Sequence, residues 1–374
     1  MSKHLFGVVV TSHGAAANNR GDNEGNITTL QKLLWNGAIH TTVSAEAMRW
    51  AIRYYWQQTL GSNAVNRRWN EQKSDHEWQD SLWKGWNPDV SGGVVYADDD
   101  VLGFMQALAA SQETDTLHAI PRRQRELREA EEEAEKDEDL KALEKAGEHK
   151  AKFEENLEKL RAAWDRLAAF SSDQKDEIKK LEKEIQALRR RMDLKGVTLN
   201  RRGVLEVTRA ISLTPFEGDI TFNAKSGEKT STSLYGTEVH ATRYQYGFAL
   251  TPEGLHDKSR ALNVVDAVTS LSEVAGNQSR FLYDFSPDSV IFRWTDDFAP
   301  RILYGFQLND GQVNFPEIVR RVEAKDIEPS ELILGGAIAD HPDCQKLMGA
   351  SINRGVKSAA DEVKRRIKQS LKLA

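Results

Sequence analysis

Cysteine is nearly missing from this chain: Cys344 is the only one in 374 residues. A disulfide framework and a cysteine-built zinc cage are therefore excluded, and a lone thiol ordinarily serves as a small apolar filler. Long apolar runs are missing too. None approaches the ~20 residues that span a bilayer, and the first residues lack the basic-then-apolar order of a signal peptide. A cytoplasmic protein without membrane contact is expected. The Gly-x-x-x-x-Gly-Lys-Ser/Thr loop, the Gly-x-Gly-x-x-Gly turn and the His-Glu-x-x-His helix do not occur. These gaps remove the P-loop, dinucleotide-binding and zincin classes, and no cofactor or metal is expected. The length suffices for about two domains with a substantial core.

What is present begins with Leu5 to Val10, a short apolar run that predicts a buried first strand. It opens into a loop from Ser12 to Asn26, rich in Gly and Asn, that holds Asn18, Asn19 and Arg20. Backbone N–H groups, amides and a guanidinium in one loop suit a polyanion better than an apolar ligand. A helix is predicted over 44–58, with Ser44 as N-cap and Ala47, Ile52 and Tyr55 as an irregular apolar face. Arg49 and Arg53 stand four apart and leave this helix on one side. Two readings fit them, solvated surface arginines or phosphate contacts. Their place after a strand and a Gly/Asn loop favours the second.

The loop, followed by His40 to Arg49 and Arg53, resembles the DevR-type backbone subunit of type I (I-B-like) CRISPR Cascade effector complexes, the protein that coats the guide RNA. The resemblance continues in order through Asp99 to Met105, Arg201-Arg202-Gly203, Ala210 to Pro215, Thr242 to Leu250 and Gly276 to Arg280. It covers most of residues 4–120 and 197–300, fades over the last 70 or so, and is absent from 121–196. It implies an α+β fold with a ferredoxin-like or RRM-like core, a helical lobe and a β-hairpin thumb at about 216–240. Such thumbs insert into the guide–target duplex at regular intervals. The resemblance implies RNA binding by Asn18, Asn19, Arg20, Ser44, Arg49, Arg53, Arg201, Arg202 and Arg209, and a thumb role for Phe222, Lys225 and Lys229. The implied partners are the CRISPR guide RNA, target DNA paired to it, other Cascade subunits, and copies of the chain itself in a head-to-tail filament. Base pairing would carry the sequence specificity.

A net charge of −6 is unusual for an RNA binder, but it is unevenly spread. Residues 1–70 carry +4 and 196–210 carry +2, whereas 71–121 carry −8 and 211–300 carry −5; 122–195 are nearly balanced at −1, and 301–374 carry +2. Phosphate binding depends on the local groove rather than the total. Basic charge concentrates on the first loop and the paired arginines.

Seven of the nine tryptophans fall between Trp35 and Trp86. They read as the core of a small helical lobe or as base-stacking groups, and the core reading is preferred because large aromatics dominate cores. A turn at Ser91-Gly92-Gly93 precedes an expected strand, Val94 to Tyr96. Residues 122–195 differ in kind: 41 of 74 are charged, with no proline and one glycine. Phe153, Leu157, Leu160, Trp164 and Leu167, then Ile178, Leu181, Ile185, Leu188 and Met192, follow heptad spacing. Ser171 and Gln174 offer a capping box between them. An inserted antiparallel coiled-coil hairpin is predicted, each arm ~30 Å long, preceded by a helical run from Arg122 to Glu148 with a break near Gly147. Strands are expected over Val204 to Ile211, from Asp219 into a Gly-containing turn, over Glu238 to Leu250 and over Arg301 to Phe306. Helices are expected from Leu262 to Ala275 and from Ser351 to Leu373, with a glycine turn at Leu334 to Ile338. The expected division is 1–121 (first part of the core plus the Trp-rich lobe), 122–195 (coiled coil) and 196–374 (the rest of the core).

The expected function is a non-enzymatic, guide-RNA-binding backbone. Two alternatives stand beside it. One is a metal-dependent endoribonuclease of the related type III-like kind, for which His13, His40, Asp22 and Glu24 are the acid–base or metal-binding groups to consider and Asp22 the residue to watch. The other is a coiled-coil protein-interaction scaffold.

Overall fold

Residues Leu5 to Val10 form a strand, and its surroundings explain its lack of polar side chains. The computed structural model describes residues 2–18, 20–87, 92–105, 113–169, 174–192, 199–224, 234–276 and 282–373. Its main sheet holds, in chain order, β1 (His4–Thr11), β2 (Lys32–Trp35), β3 (Ala38–Val43), β4 (Leu205–Val207), β5 (Ala210–Ser212), β6 (Tyr244–Leu250), β7 (Pro287–Thr295), β8 (Leu332–Gly336) and β9 (Ser351–Asn353). Among the described residues the helices are α1 (Ala45–Thr59), α2 (Ala97–Leu102), α3 (Glu113–Lys136), α4 (Leu140–Ala169), α5 (Lys175–Arg191), α6 (Arg260–Val268), α7 (Pro316–Glu323) and α8 (Val356–Leu371). The chain is therefore of mixed α+β class.

The strand order is β9-β8-β7-β1-β6-β5-β3-β2, with β4 also on β6. β1 runs antiparallel to both neighbours, Val8 standing opposite Gly247 and Ile291. Alternation sends Leu5 and Val9 to one face and Phe6, Val8 and Val10 to the other. The first face packs on α1, α6 and α8 through Met48, Ile52, Trp56, Val264, Val363 and Ile367. The second meets Ile302, Phe306 and Phe315 and the α7 residues Ile318 and Val319. A strand covered on both faces has no side to give to water, and all eight residues of β1 are buried.

The chain divides into two compact units. One comprises Met1–Gln79, Tyr96–Gly103 and Arg202–Ala374; the other comprises Asp80–Val95 and Phe104–Arg201. In the second, α3, α4 and α5 share an apolar seam of Ile120, Leu127, Phe153, Leu157, Leu160, Leu181, Ile185, Leu188 and Met192, with Trp164 and Leu167 at its margin. The seam uses the heptad positions read from the sequence except Ile178, which stays half-buried outside it, and adds two residues of α3. The helical break falls at 137–139 instead of at Gly147. Glu138 takes a left-handed φ of 53° there, and Asp139 accepts N–H bonds from Lys141 and Ala142 at 3.1 Å each, capping α4. Ser171 lies outside the described residues.

Other elements differ from expectation for local reasons. Arg301 to Phe306 is a turn, not a strand: Arg301 and Tyr304 have φ of 56° and 53°, and the Gly305 N–H bonds the Ile302 carbonyl at 3.1 Å. The apolar residues that suggested a strand, Ile302 and Phe306, fill the core instead. α6 stops at Val268, where the Thr269 hydroxyl donates back to the Val265 carbonyl at 2.8 Å. Val94 to Tyr96 is not part of a ladder among the described residues. After α1, the Trp-rich stretch contains a β-hairpin, Arg67–Asn70 with Asp75–Trp78, and short 3₁₀ turns in place of helices. The predicted C-terminal helix is shorter, because Ser351–Asn353 pairs in parallel with β8. At the glycine turn, Gly336 has a φ of 90° and its backbone lies against the Asp288 carbonyl.

Gly7 sits under the Phe248 ring, with a Cβ there only 2.2 Å from a ring carbon. Gly7→Ala is expected to cost about 1–3 kcal/mol through overpacking, read as a lower urea midpoint with unchanged m-value. Adding Phe248→Leu should recover part of the loss.

Candidate nucleic-acid interface

The first loop is not a bare loop. Gly14–Ala16 pairs antiparallel with His240–Thr242. Arg20–Glu24 and Ile27–Leu30 form a hairpin that joins the hairpin Ile220–Ala224 with Leu234–Glu238 in one four-stranded sheet. The Glu238 carboxylate fastens this sheet. It accepts from the Leu30 N–H at 2.7 Å and from Lys32 Nζ at 2.6 Å. On the 220–238 hairpin, Phe222 is 62% exposed, and Leu234, Tyr235 and Ile220 are exposed beside it. Lys225 and Lys229 lie outside the described residues.

Below the loop runs a buried polar chain. His240 Nε2 lies 3.1 Å from the Pro215 carbonyl, which can only accept, so that nitrogen carries the proton. Nδ1 then accepts from the Thr41 hydroxyl at 2.7 Å, and Thr41 Oγ1 accepts from Tyr244 at 2.9 Å. Thr11 joins Tyr283 at 2.6 Å and accepts the Tyr244 N–H at 2.9 Å. Burial pushes His240 below its ordinary pKa and raises the Tyr283 phenol to about 12. This network fixes the ends of β1, β3 and β6, from which the loop departs.

The residues singled out from sequence fall into different situations. Asn18 is buried; its Nδ2 donates to the Val274 carbonyl at 2.7 Å, while its buried Oδ1 has no hydrogen-bond partner among the described residues. Asn19 and the Arg20 side chain lie outside the described residues, as do residues 277–280. Ser44 caps α1, accepting the Ala47 N–H at 3.2 Å. Arg49 donates to the Leu102 carbonyl, and burial, with the neighbouring Arg53 charge second, lowers its pKa. Arg53 pairs with Asp98 at 3.0 Å. Arg202 is open to solvent, its side chain 89% exposed and 3.5 Å from Glu206. The exposed Arg209 bonds Gln31 and Thr42 at 3.1 and 3.2 Å. In the second unit, Arg201 stacks 4.1 Å over the Trp86 ring, and Trp83 stacks on Phe104 with centroids 4.7 Å apart. Asp22 accepts the Asn23 N–H at 2.8 Å. Among the described residues no three His, Cys, Asp or Glu side chains converge as a metal site, and no helix is long and apolar enough to cross a membrane.

Residue-by-residue reading missed the role of Asp98, Asp99 and Asp100, which are 2%, 3% and 0% exposed. Asp98 accepts from the N–H groups of Asn66 and Arg67 as well as from Arg53. Asp99 accepts from Asn66 Nδ2 at 2.9 Å. Asp100 accepts from the N–H groups of His256 and Asp257 and from Arg260 at 2.8 Å. Three successive carboxylates directly before an apolar Val-Leu pair were the available signal, because charge in such a place must be paired.

No protein-family profile matches the chain. It is 36% identical over 372 residues, 96% of each chain, to the CRISPR-associated protein Cas7/Cst2/DevR of Myxococcus xanthus (strain DK1622). The chain belongs to the Cas7/Cst2/DevR family. Two solved structures described as CRISPR RNA-guided surveillance complexes, one of them pre-nicking, align at TM-scores of 0.48 and 0.47 with 13% and 12% identity. The alignments cover 97% and 98% of this chain and 100% and 99% of theirs. Within this Cas7/Cst2/DevR chain, the exposed cations of the surface and those consumed inside the fold are now distinguishable: Arg202 and Arg209 belong to the first group, Arg49 and Arg53 to the second.

Asp98→Ala strands Arg53 and two backbone donors, and a loss of about 3–5 kcal/mol is expected. Asp98→Asn retains an acceptor oxygen and should lose less. Chemical denaturation of both variants checks the order.

Proposed function

We propose that this chain coats a guide RNA in a Cascade-type complex, one copy beside the next, and holds the RNA backbone while the bases pair with target DNA. Its 36% identity to a Cas7/Cst2/DevR protein across 96% of both chains carries this reading. The fold supports it. β7-β1-β6-β4 is the strand order of a ferredoxin-like unit, with α1 between β1 and β4 and α6 between β6 and β7. Both helices pack on one face of the sheet. The 220–238 hairpin, with its exposed aromatic and aliphatic residues, serves as the thumb. Phe222, Lys225 and Lys229 are its duplex-contacting residues.

Phosphate contacts are assigned to Arg20, Arg202 and Arg209, and Asn19 is counted with them from the resemblance. Arg49, Arg53, Ser44 and Asn18 act at one remove, by shaping α1 and the loop. Arg201, stacked on Trp86, positions its neighbour. The chain works in the cytoplasm without cutting RNA and without a cofactor. Protein purified with its guide should carry RNA of uniform length. Arg202→Ala and Arg209→Ala should each weaken guide binding and reduce the salt slope by about one ion, with thermal stability unchanged. Affinity and salt dependence that survive the double variant would place the groove elsewhere. Metal-dependent cleavage by the wild type that Asp22→Ala abolishes would favour the ribonuclease instead.

Residues 122–195 are read as a coiled-coil insertion, with α4 and α5 as its two arms, and the divisions 1–121 and 196–374 as one interrupted core. The insertion's seam is closed within the second unit. Replacing 122–195 with a short Gly/Ser linker should therefore leave a folded, guide-binding protein. Circular dichroism and RNA retention test this; an insoluble deletion variant would make the helices part of the core.

A further inference from the structure

Two hairpins far apart in the chain are built as one body. The hairpin Arg20–Glu24 with Ile27–Leu30 follows Gly14–Ala16, and the hairpin Ile220–Ala224 with Leu234–Glu238 precedes His240–Thr242. Because Gly14–Ala16 and His240–Thr242 pair with each other, both hairpins leave one short ladder. They meet again beyond it, in parallel, with Gly236 opposite Ile27 and Thr237 opposite Thr28. The Gly236 N–H donates to the Asn26 carbonyl at 2.8 Å. A Cβ at Gly236 would lie 3.0 Å from Ile27 Cγ1 and 3.3 Å from both Ile220 Cγ2 and Phe222 Cε1. Apolar side chains from the two hairpins therefore converge over the bare glycine.

A parallel contact this short adds little rigidity of its own. Glu238 supplies more. It is 8% exposed, and its Oε2 accepts the Leu30 N–H at 2.7 Å while Oε1 accepts from Lys32 Nζ at 2.6 Å. Both acceptor oxygens belong to the second hairpin, and both donors to residues 30–32, where the first hairpin ends and β2 begins. Both bonds are charge-assisted, which is the strong class. We propose that Glu238 is a positioning residue that couples the guide-holding hairpin to the thumb. Seating the guide on residues 20–30 then fixes where Phe222 stands against the guide–target duplex, since ordering one hairpin orders the other. This coupling rests on the RNA-holding reading of the chain and gives it a means by which guide loading prepares target pairing.

The test is hydrogen exchange on the full chain with and without its guide RNA, read over residues 20–30, 220–224 and 234–238. It is joined to the affinity of the guide-loaded protein for a DNA strand complementary to the guide. In the wild type the guide should slow exchange in both hairpins. Glu238→Ala should keep the guide affinity and the slowing over 20–30 but lose the slowing over the thumb strands. Its DNA binding should weaken about tenfold, within the usual range for coupled sites. Glu238→Gln keeps an acceptor for the Leu30 N–H, drops the charge facing Lys32 and should fall between; it carries the comparison if the alanine variant does not fold. Gly7→Ala, which lowers stability away from both hairpins, should keep the slowing in both. The proposal is overturned if the guide slows the thumb strands as much in the Glu238 variants as in the wild type. It is also overturned if these variants and Gly7→Ala lose guide and DNA binding alike, as a merely structural residue would. Slowing confined to 20–30 in the wild type overturns the coupling alone. A guide that slows nothing over 20–30 removes the RNA-holding assignment of that hairpin, and the coupling with it.

Discussion

Three buried carboxylates in a row hold the first unit together. Asp98, Asp99 and Asp100 occupy a six-residue helix in which every residue is buried, so none of the three charges can be left to water. Their donors come from distant parts of the chain: residues 66–67 and Arg53 of α1 for Asp98, Asn66 again for Asp99, and residues 256–257 and Arg260 of α6 for Asp100. Buried ion pairs add little net stability against an apolar substitute, but one left half-made is strongly unfavourable. The cluster therefore permits one arrangement of α1 and α6 on the sheet and penalises the others. Arg53 and Arg260 are its counter-charges, which is why a basic helix face next to a polar loop is not automatically a phosphate site.

Much of this was legible in the residues. β1 announced itself because a strand covered on both faces must be apolar throughout, and α1 because Ser44 caps it. The heptad positions of α4 and α5 were readable because a seam needs its apolar residues at fixed spacing, whatever else touches it. Legibility failed where the deciding contact is distant. Ile302 and Phe306 look like strand residues, yet they are apolar because they face α7, and the left-handed residues around them form a turn. α6 ends where a threonine hydroxyl turns back on the helix. Arg49 and Arg53 share a face, as their spacing requires, but their partners lie about 45 to 53 residues away, and nothing local records them.

The polar chain under the first loop works in the opposite sense to the apolar strands around it. Thr11, Thr41, His240, Tyr244 and Tyr283 are all buried, and each spends its polar atoms on another. Such a network tolerates little movement, because every group is both buried and committed. The segment that leaves from that base is held again farther out, by Asn18 on the Val274 carbonyl and by the pairing of Arg20–Glu24 with Ile27–Leu30.

The position of β1 also sets a timetable for synthesis. Its two ladder neighbours begin at Tyr244 and Pro287. At ~5–20 residues per second, a ribosome takes roughly 10–60 s to deliver them. Through that interval the buried central strand has no ladder partner, whereas α3, α4 and α5 can close their seam as soon as they emerge. Contacts this far apart in sequence form slowly, so the helical unit is complete while the sheet still waits for its centre to be enclosed. Between the emergence of α5 and that of β7, the newly made chain thus carries a closed helical seam beside an apolar strand without its ladder partners, and in that interval Leu5 to Val10 are exposed to aggregation.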